Sequence, residues 1–196
     1  MRLVQLAFDA GSMDEEAFSN AYPRPCLVFV GLPGAVTGIS EETPHAKTHQ
    51  AKTDGADVRI VAERNLVPSA ADDDFVFFLG KSRRNSFGGL IVVGRQPKSD
   101  LILNSPLVSK VHLFFMPQVG GSGWTVVDPG STNGTRLNGH PLRARSVESI
   151  WDGDELVLAC EIRATFHTPG GLFRRLARMA EEARRGSATA CPVEEG

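Results

Sequence analysis

Cysteine is scarce: Cys26, Cys160 and Cys191 are odd in number and far apart. That excludes a disulfide framework and a C-x-x-C metal site. No apolar run approaches the roughly 18 residues that a membrane span needs. The opening MRLVQLAFDAGSMDEE turns acidic too soon for an export signal, so a cytoplasmic protein is expected. Charge of one sign is lacking too. The 21 Lys and Arg stand against 23 Asp and Glu, a formal net charge of −2. A general nucleic-acid binder would carry a basic footprint, and any anion site must here be built locally. Only two tryptophans occur, and Trp124 and Trp151 are both expected in the core. With 41% apolar and 22% charged residues, the 196-residue chain has globular composition, enough for one domain with extensions or two small domains.

Signatures of catalysis are also missing. Gly80-Lys81-Ser82 resembles the end of a phosphate-binding loop, but Phe75 stands where the required earlier glycine would be. The glycines of GLPGAVTG (31–38) are wrongly spaced for a dinucleotide loop, and no βα repeat follows. His45 and His49 have helical metal-ligand spacing, yet they sit in a polar, Pro-interrupted stretch with no third ligand in register. No Ser-His-Asp or Cys-His set stands in a nucleophile context. The expectation is therefore a non-enzyme with no cofactor and no metal.

Short β-type runs are what the chain has instead. FVFFLG (75–80), LIVVG (90–94), LIL (101–103), VHLFFM (111–116), WTVVD (124–128), TRLNG (135–139), ELVLAC (155–160) and IRATFH (162–167) recur every eight to twelve residues between turn signals. That rhythm predicts an all-β sandwich or barrel. Asn138-Gly139 predicts a type I′ hairpin, because both central residues need positive φ. Phe87-Gly88-Gly89 reads as an ordinary turn. CLVFV (26–30) is a further β-type run, and DVRIVAE (57–63) could add another. Residues 40–54 read as a polar loop or linker. A short helix is predicted within residues 1–22, with Ser12 as its N-cap and Glu15 three residues on. GGLFRRLARMAEEARRG (170–186) has helical periodicity, with Leu172, Phe173, Leu176 and Met179 on one face. Docking of that face on its own domain is the favoured reading.

Donors suited to a phosphate dianion gather in the loops of the β-rich region. Gly94-Arg95 ends one strand, Ser109-Lys110-Val111-His112 follows, and Asp128-Pro129-Gly130-Ser131-Thr132-Asn133-Gly134-Thr135 is rich in hydroxyls and amides. If these loops meet at one end of a sandwich they form a shallow pocket of charge-assisted donors.

GR, SKVH, DPGSTNGTRLNG and WDGDELVLA, in this order and spacing, resemble the forkhead-associated (FHA) domain over residues 73–168, about half the chain. The resemblance implies an eleven-stranded β-sandwich whose apical loops bind phosphothreonine peptides. It frames the chain as an N-terminal extension (1–72, partly flexible), an FHA domain (73–168) and a C-terminal amphipathic helix with a frayed tail (169–196). Position by position, Arg95 resembles the phosphate-binding arginine and Ser109 the serine that contacts the phosphate. Lys110 stands where a polar or basic residue often adds a contact, and Thr132 resembles a supporting contact. Asn133 resembles the asparagine that grips the peptide backbone. Gly94 and His112 match the structural pair, and Gly134 permits the turn. The implied function is an adaptor for phosphothreonine-containing proteins, substrates of a Ser/Thr kinase. The rival is a phosphate-independent interaction scaffold that uses another face of the sandwich. Thr43, beside Glu41 and Glu42, and Ser86, after Arg83-Arg84, are conceivable kinase targets. Thr43 as a solvated loop residue is preferred over Thr43 as an occupant of the chain's own pocket.

Overall fold

The computed structural model describes residues 3–30, 74–118, 120 and 123–188. The strand expected at 57–63, the loop at 40–54, the GLPGAVTG turn, His45, His49, Thr43 and Cys191 all lie outside these residues.

Two helices open the chain, α1 (Leu3–Gly11) and α2 (Glu15–Ala21), followed by β1 (Cys26–Phe29). Ten more strands follow: β2 (Phe75–Phe78), β3 (Ile91–Gly94), β4 (Leu101–Ile102), β5 (Leu113–Pro117), β6 (Trp124–Val127), β7 (Thr135–Leu137), β8 (His140–Pro141), β9 (Glu148–Ile150), β10 (Glu155–Leu158) and β11 (Ile162–His167). Helix α3 (Pro169–Ala188) closes the described fold. The strands form a six-stranded sheet, β2-β1-β11-β10-β7-β8, and a five-stranded sheet, β4-β3-β5-β6-β9. All pairings are antiparallel except β3 with β4.

The facing sheets bury one core, built from alternate positions of their strands. Leu27, Phe29, Phe77, Val93, Leu113, Phe115, Leu156 and Phe166 belong to it. Each such side chain contributes about 1.5–3 kcal/mol relative to exposure. The expected hairpin is present: Asn138 has φ 50° and Gly139 φ 79°, joining β7 to β8. Gly89 also has positive φ in the turn before β3. β8 and β9 are strands that the sequence rhythm did not announce. Their exposed faces carry no apolar alternation, since only Ile150 among them is buried.

β1 explains its own sequence. All four residues of CLVF are buried. Leu27 and Phe29 face the sandwich core, while Cys26 and Val28 face a second core on the outside of the same sheet. A strand covered on both faces reads as a continuous apolar run, not an alternating one. Leu3, Leu6, Ala10, Phe18, Val76, Leu172 and Leu176 complete this second core, so α1, α2 and α3 form a helical layer over β1 and β2. The sheet thus reaches back across the boundary expected at residue 73, because β1 lies between β2 and β11.

Ring contacts tie the helical layer together. Phe18 packs on Tyr22 and Phe173 at centroid separations of 4.9 and 5.5 Å, and Tyr22 stacks on Phe78 at 5.4 Å. The predicted apolar face of α3 is the face that docks. Two expectations need correction. Asp14, not Ser12, caps α2, its carboxylate accepting from the Ala17 N–H at 2.8 Å. Trp151 is 62% exposed and not in the core, because its neighbour Ile150 takes the inward position at the end of β9. Trp124 does pack against the core.

Candidate functional site

Three loops converge at one end of the sandwich, and a glycine lets them do so. Gly94 ends β3, and a Cβ there would overlap the Lys110 carbonyl of the β4–β5 loop. The two backbones approach so closely that the Arg95 N–H donates to the Ser109 carbonyl at 2.9 Å and the Gln96 N–H to the Lys110 carbonyl at 3.1 Å. Only glycine permits this approach.

Arg95 is exposed, yet its side chain is aimed. Nε donates to the Val108 carbonyl at 3.1 Å, while the terminal guanidinium nitrogens have no partner among the described residues. Ser109 Oγ accepts from the Thr132 N–H at 3.0 Å and lies 3.3 Å from Thr132 Oγ1. Asn133 donates from Nδ2 to the Leu107 carbonyl at 2.8 Å. The structure therefore brings Arg95, Ser109, Thr132 and Asn133 together from the β3–β4, β4–β5 and β6–β7 loops. Lys110 is exposed at the edge of this group.

His112 is fully buried beneath the loops. Its Nδ1 accepts from the Ser109 N–H at 3.1 Å, so the ring proton sits on Nε2, which faces the Gly134 carbonyl at 3.3 Å. Burial holds His112 below the ordinary imidazole value, against the opposing pull of Asp128 and the Gly134 bond. A neutral ring thus bridges two of the three loops. Gly134, with φ 69°, turns the chain into β7.

Two buried aspartates belong to this architecture and were not among the candidates. Asp128 is 2% exposed. Its Oδ1 accepts from the Gly130 and Ser131 N–H groups at 2.9 and 2.6 Å. Its Oδ2 accepts from Ser131 Oγ at 2.7 Å and Thr135 Oγ1 at 3.1 Å. Burial alone would raise its carboxyl, but these hydrogen bonds outweigh burial and hold it below the usual range. One carboxylate therefore folds the loop that carries Thr132 and Asn133. The signal was the Asp-x-Gly-Ser order, in which an aspartate folds the backbone two residues on. Asp100 does the same for the β2–β3 loop. It accepts from the Ser82 N–H and hydroxyl at 2.7 and 2.6 Å, from Asn85 Nδ2 at 2.6 Å and from the Val92 N–H at 2.7 Å. Ser82 is thus engaged in folding a loop.

The arrangement offers one guanidinium, paired hydroxyls, a carboxamide and an ammonium on an exposed rim. Such a set suits an oxyanion carried on an extended chain. Among the described residues no group of His, Cys, Asp and Glu could hold a metal ion, and no helix is long and apolar enough to cross a membrane.

Residues 91–159 match the family model of the FHA domain. Two curated relatives share a 63-residue segment. One is the oxoglutarate dehydrogenase inhibitor of Corynebacterium diphtheriae, 43% identical over 32% of this chain and 41% of the relative. The other is the protein of the same name from Corynebacterium glutamicum, 38% identical with the same coverage. The chain thus spans about two fifths of the length of these relatives. Among solved structures, the MEK1 FHA domain in complex with the HOP1 pThr318 peptide is 27% identical, with 48% of this chain and 88% of that chain covered and a TM-score of 0.40. The N-terminal FHA domain of Rad53p from S. cerevisiae, in complex with a phosphothreonine peptide, is 23% identical, with 47% and 83% covered and a TM-score of 0.39.

Proposed function

We propose, on the premise that this chain carries an FHA domain, that it is an adaptor whose loop cluster binds phosphothreonine on proteins marked by a Ser/Thr kinase. The observation that carries this reading is the guanidinium of Arg95, fixed through Nε to the Val108 carbonyl, one residue from Ser109, with its terminal nitrogens unpartnered among the described residues. A phosphothreonine brings about −1.5 to −2 charges near neutral pH and three acceptor oxygens. Arg95 would take two of those oxygens through its planar fork, and Ser109 a third through its hydroxyl. Thr132 supports Ser109, and Lys110 adds charge at the rim. Asn133 would exchange its bond to the Leu107 carbonyl for the peptide backbone on either side of the phosphothreonine. Gly94, His112 and Gly134 hold these groups in place and make no contact with the ligand.

Two further points support the reading. The relatives are named as inhibitors of an enzyme, a regulatory description that fits a chain acting by association. Arg95, Lys110, Thr132 and Asn133 are also exposed, so an extended partner can reach them. The test is a titration of the full chain with one phosphothreonine peptide, its unphosphorylated twin and its phosphoserine twin. Binding of the first alone is expected. Equal affinity for the first two would replace this reading with a phosphate-independent scaffold. An oriented phosphothreonine library, applied to the same chain, would then name the flanking residues it prefers.

A further inference from the structure

The helical layer borders a second polar site, open to solvent, at the other end of β10. That strand runs from Glu155, beside the β9–β10 turn, to Leu158, which pairs with Thr135 below the loop cluster. A cleft of about 650 Å³ opens between α3 and the outer face of the six-stranded sheet, where the β9–β10 turn closes it. This is within the ordinary size range of small-molecule sites, about 300–1,000 Å³.

His167, the last residue of β11, lines the cleft at 6% exposure, and its Nε2 has no hydrogen-bond partner among the described residues. Nδ1 lies 3.4 Å from Asp152 Oδ1, which places the single ring proton toward that carboxylate and leaves Nε2 as an acceptor. Native interiors rarely leave such a group unserved. Arg175, on the α3 wall, pairs with Asp74 through Nη2 at 3.4 Å, while its Nε is buried without a partner among the described residues. Arg178, one turn further along α3, pairs with no carboxylate among the described residues. Two guanidiniums and the His167 Nε2 acceptor thus border one space.

The facing charges decide what fits. Asp74, Asp152 and Glu182 also line the cleft. Burial holds His167 below the ordinary imidazole value against the pull of Asp152, so the ring is neutral at pH 7. Asp74 already pairs with Arg175, and Asp152 accepts from Thr168 and faces Arg174 Nη2 at 3.8 Å, so Arg178 and Glu182 are the lining charges without an ion pair among the described residues. A lone anion would meet the Glu182 carboxylate, and a lone cation would leave the Arg178 donors unserved. A ligand with both signs satisfies each wall. Cys26, opposite His167 in the β1–β11 ladder, is buried with its thiol pushed up, so the pair is no nucleophile.

We propose that this cleft binds a small zwitterion of the α-amino-acid class, its carboxylate on Arg175 and Arg178 and its ammonium toward Glu182 and the open Nε2 of His167. The site shares no residue with the loop cluster, so it stands or falls independently of the phosphothreonine assignment.

The experiment follows the His167 ring resonances and the melting temperature of the full chain while each standard α-amino acid is added to about 10 mM, a concentration that detects millimolar affinity. At least one amino acid should shift the ring saturably and raise the melting temperature. Its N-acetyl and C-amide derivatives, which each lose one charge, should bind about tenfold more weakly or worse. Arg178→Gln should weaken the amino acid to a similar degree while leaving the melting temperature of the unliganded protein unchanged. Arg95→Ala should leave it untouched. Silence of the His167 ring across the whole series overturns the proposal. So does binding that is indifferent to derivatisation or to Arg178→Gln.

Discussion

Arg95 and His112 are three-dimensional neighbours through the Ser109 loop, yet their losses should read differently. Arg95 is exposed and spends one nitrogen on the Val108 carbonyl, so Arg95→Ala should leave the melting temperature nearly unchanged. A charge-assisted bond is worth about 1.5–3 kcal/mol, so phosphopeptide affinity should fall at least about tenfold. Arg95→Lys should recover only part of it, because the bidentate fork is lost. Isothermal titration beside a thermal melt checks both, and wild-type affinity in Arg95→Ala would dismiss the assigned pocket. His112→Ala removes a buried ring that bridges Ser109 and Gly134. Its orphaned partners cost about 1–3 kcal/mol, so stability and affinity should fall together. Arg95, Ser109, Thr132 and Asn133, which the fold gathers at one end of the sandwich, could be picked out as candidates because cations, hydroxyls and amides at fixed loop positions are chemically conspicuous. Asp128 and Asp100 were not legible. An aspartate in a loop is ordinary, and nothing in the sequence states that its carboxylate is buried and fully used.

At the scale of elements, the same difference separates what was readable from what was not. β2, β3, β5, β10 and β11 carry apolar runs bounded by turns, and they were found near their expected limits. β8 and β9 are two and three residues long and mostly exposed, so they leave no hydrophobic trace. β1 was readable as a strand. Its membership of the sandwich was not, because pairing with β2 and β11 is a long-range fact. The β6–β7 loop shows how one side chain organises an element. Asp128→Ala would strip acceptors from the Gly130 and Ser131 N–H groups and from the Ser131 and Thr135 hydroxyls. A loss of about 1–3 kcal/mol in stability is expected. Phosphopeptide affinity should also fall, since Thr132 and Asn133 lose their frame. A denaturant melt and a peptide titration would show the two effects, and unchanged affinity would place the loop's stiffness elsewhere. Helix α3 is seated in a comparable way. The Asp152 carboxylate accepts from the Thr168 N–H at 2.8 Å and the Thr168 hydroxyl at 3.1 Å. Thr168 Oγ1 in turn accepts from the Gly171 N–H at 3.1 Å. A Cβ on Gly171 would overlap the Asp152 carboxylate, so Gly171→Ala should loosen the first turn of α3 and lower the melting temperature.

For the whole molecule, β1 makes two cores into one cooperative unit. Its inward side chains belong to the sandwich and its outward ones to the helical layer, so neither core can open without exposing a buried face of the same strand. Leu176→Ala, which lies in the outer core only, should cost about 2–5 kcal/mol. It should also lower a single melting transition followed by both helix and sheet signals. Separate transitions for the two signals would show that the layers unfold independently. The two buried histidines give this unit a common acid limit. His112 lies beneath the apical loops and His167 lies under α3, and burial holds both below the ordinary imidazole value. Unfolding releases each ring to a value near 6.5. The unfolded chain therefore binds more protons than the native one as pH falls below about 6.5, and stability declines with it. Their full contribution is present above that pH. It is lost progressively as pH falls through the lower native values, below which the decline from these groups levels off. Urea midpoints measured from pH 8 to pH 5 should be flat at the upper end and fall at the lower end. His112→Gln and His167→Gln should each flatten the fall in part, provided the variant still folds by circular dichroism. A urea midpoint that rises as pH drops from about 7 to about 5 would mean that the native state takes up the protons and that neither ring is held neutral.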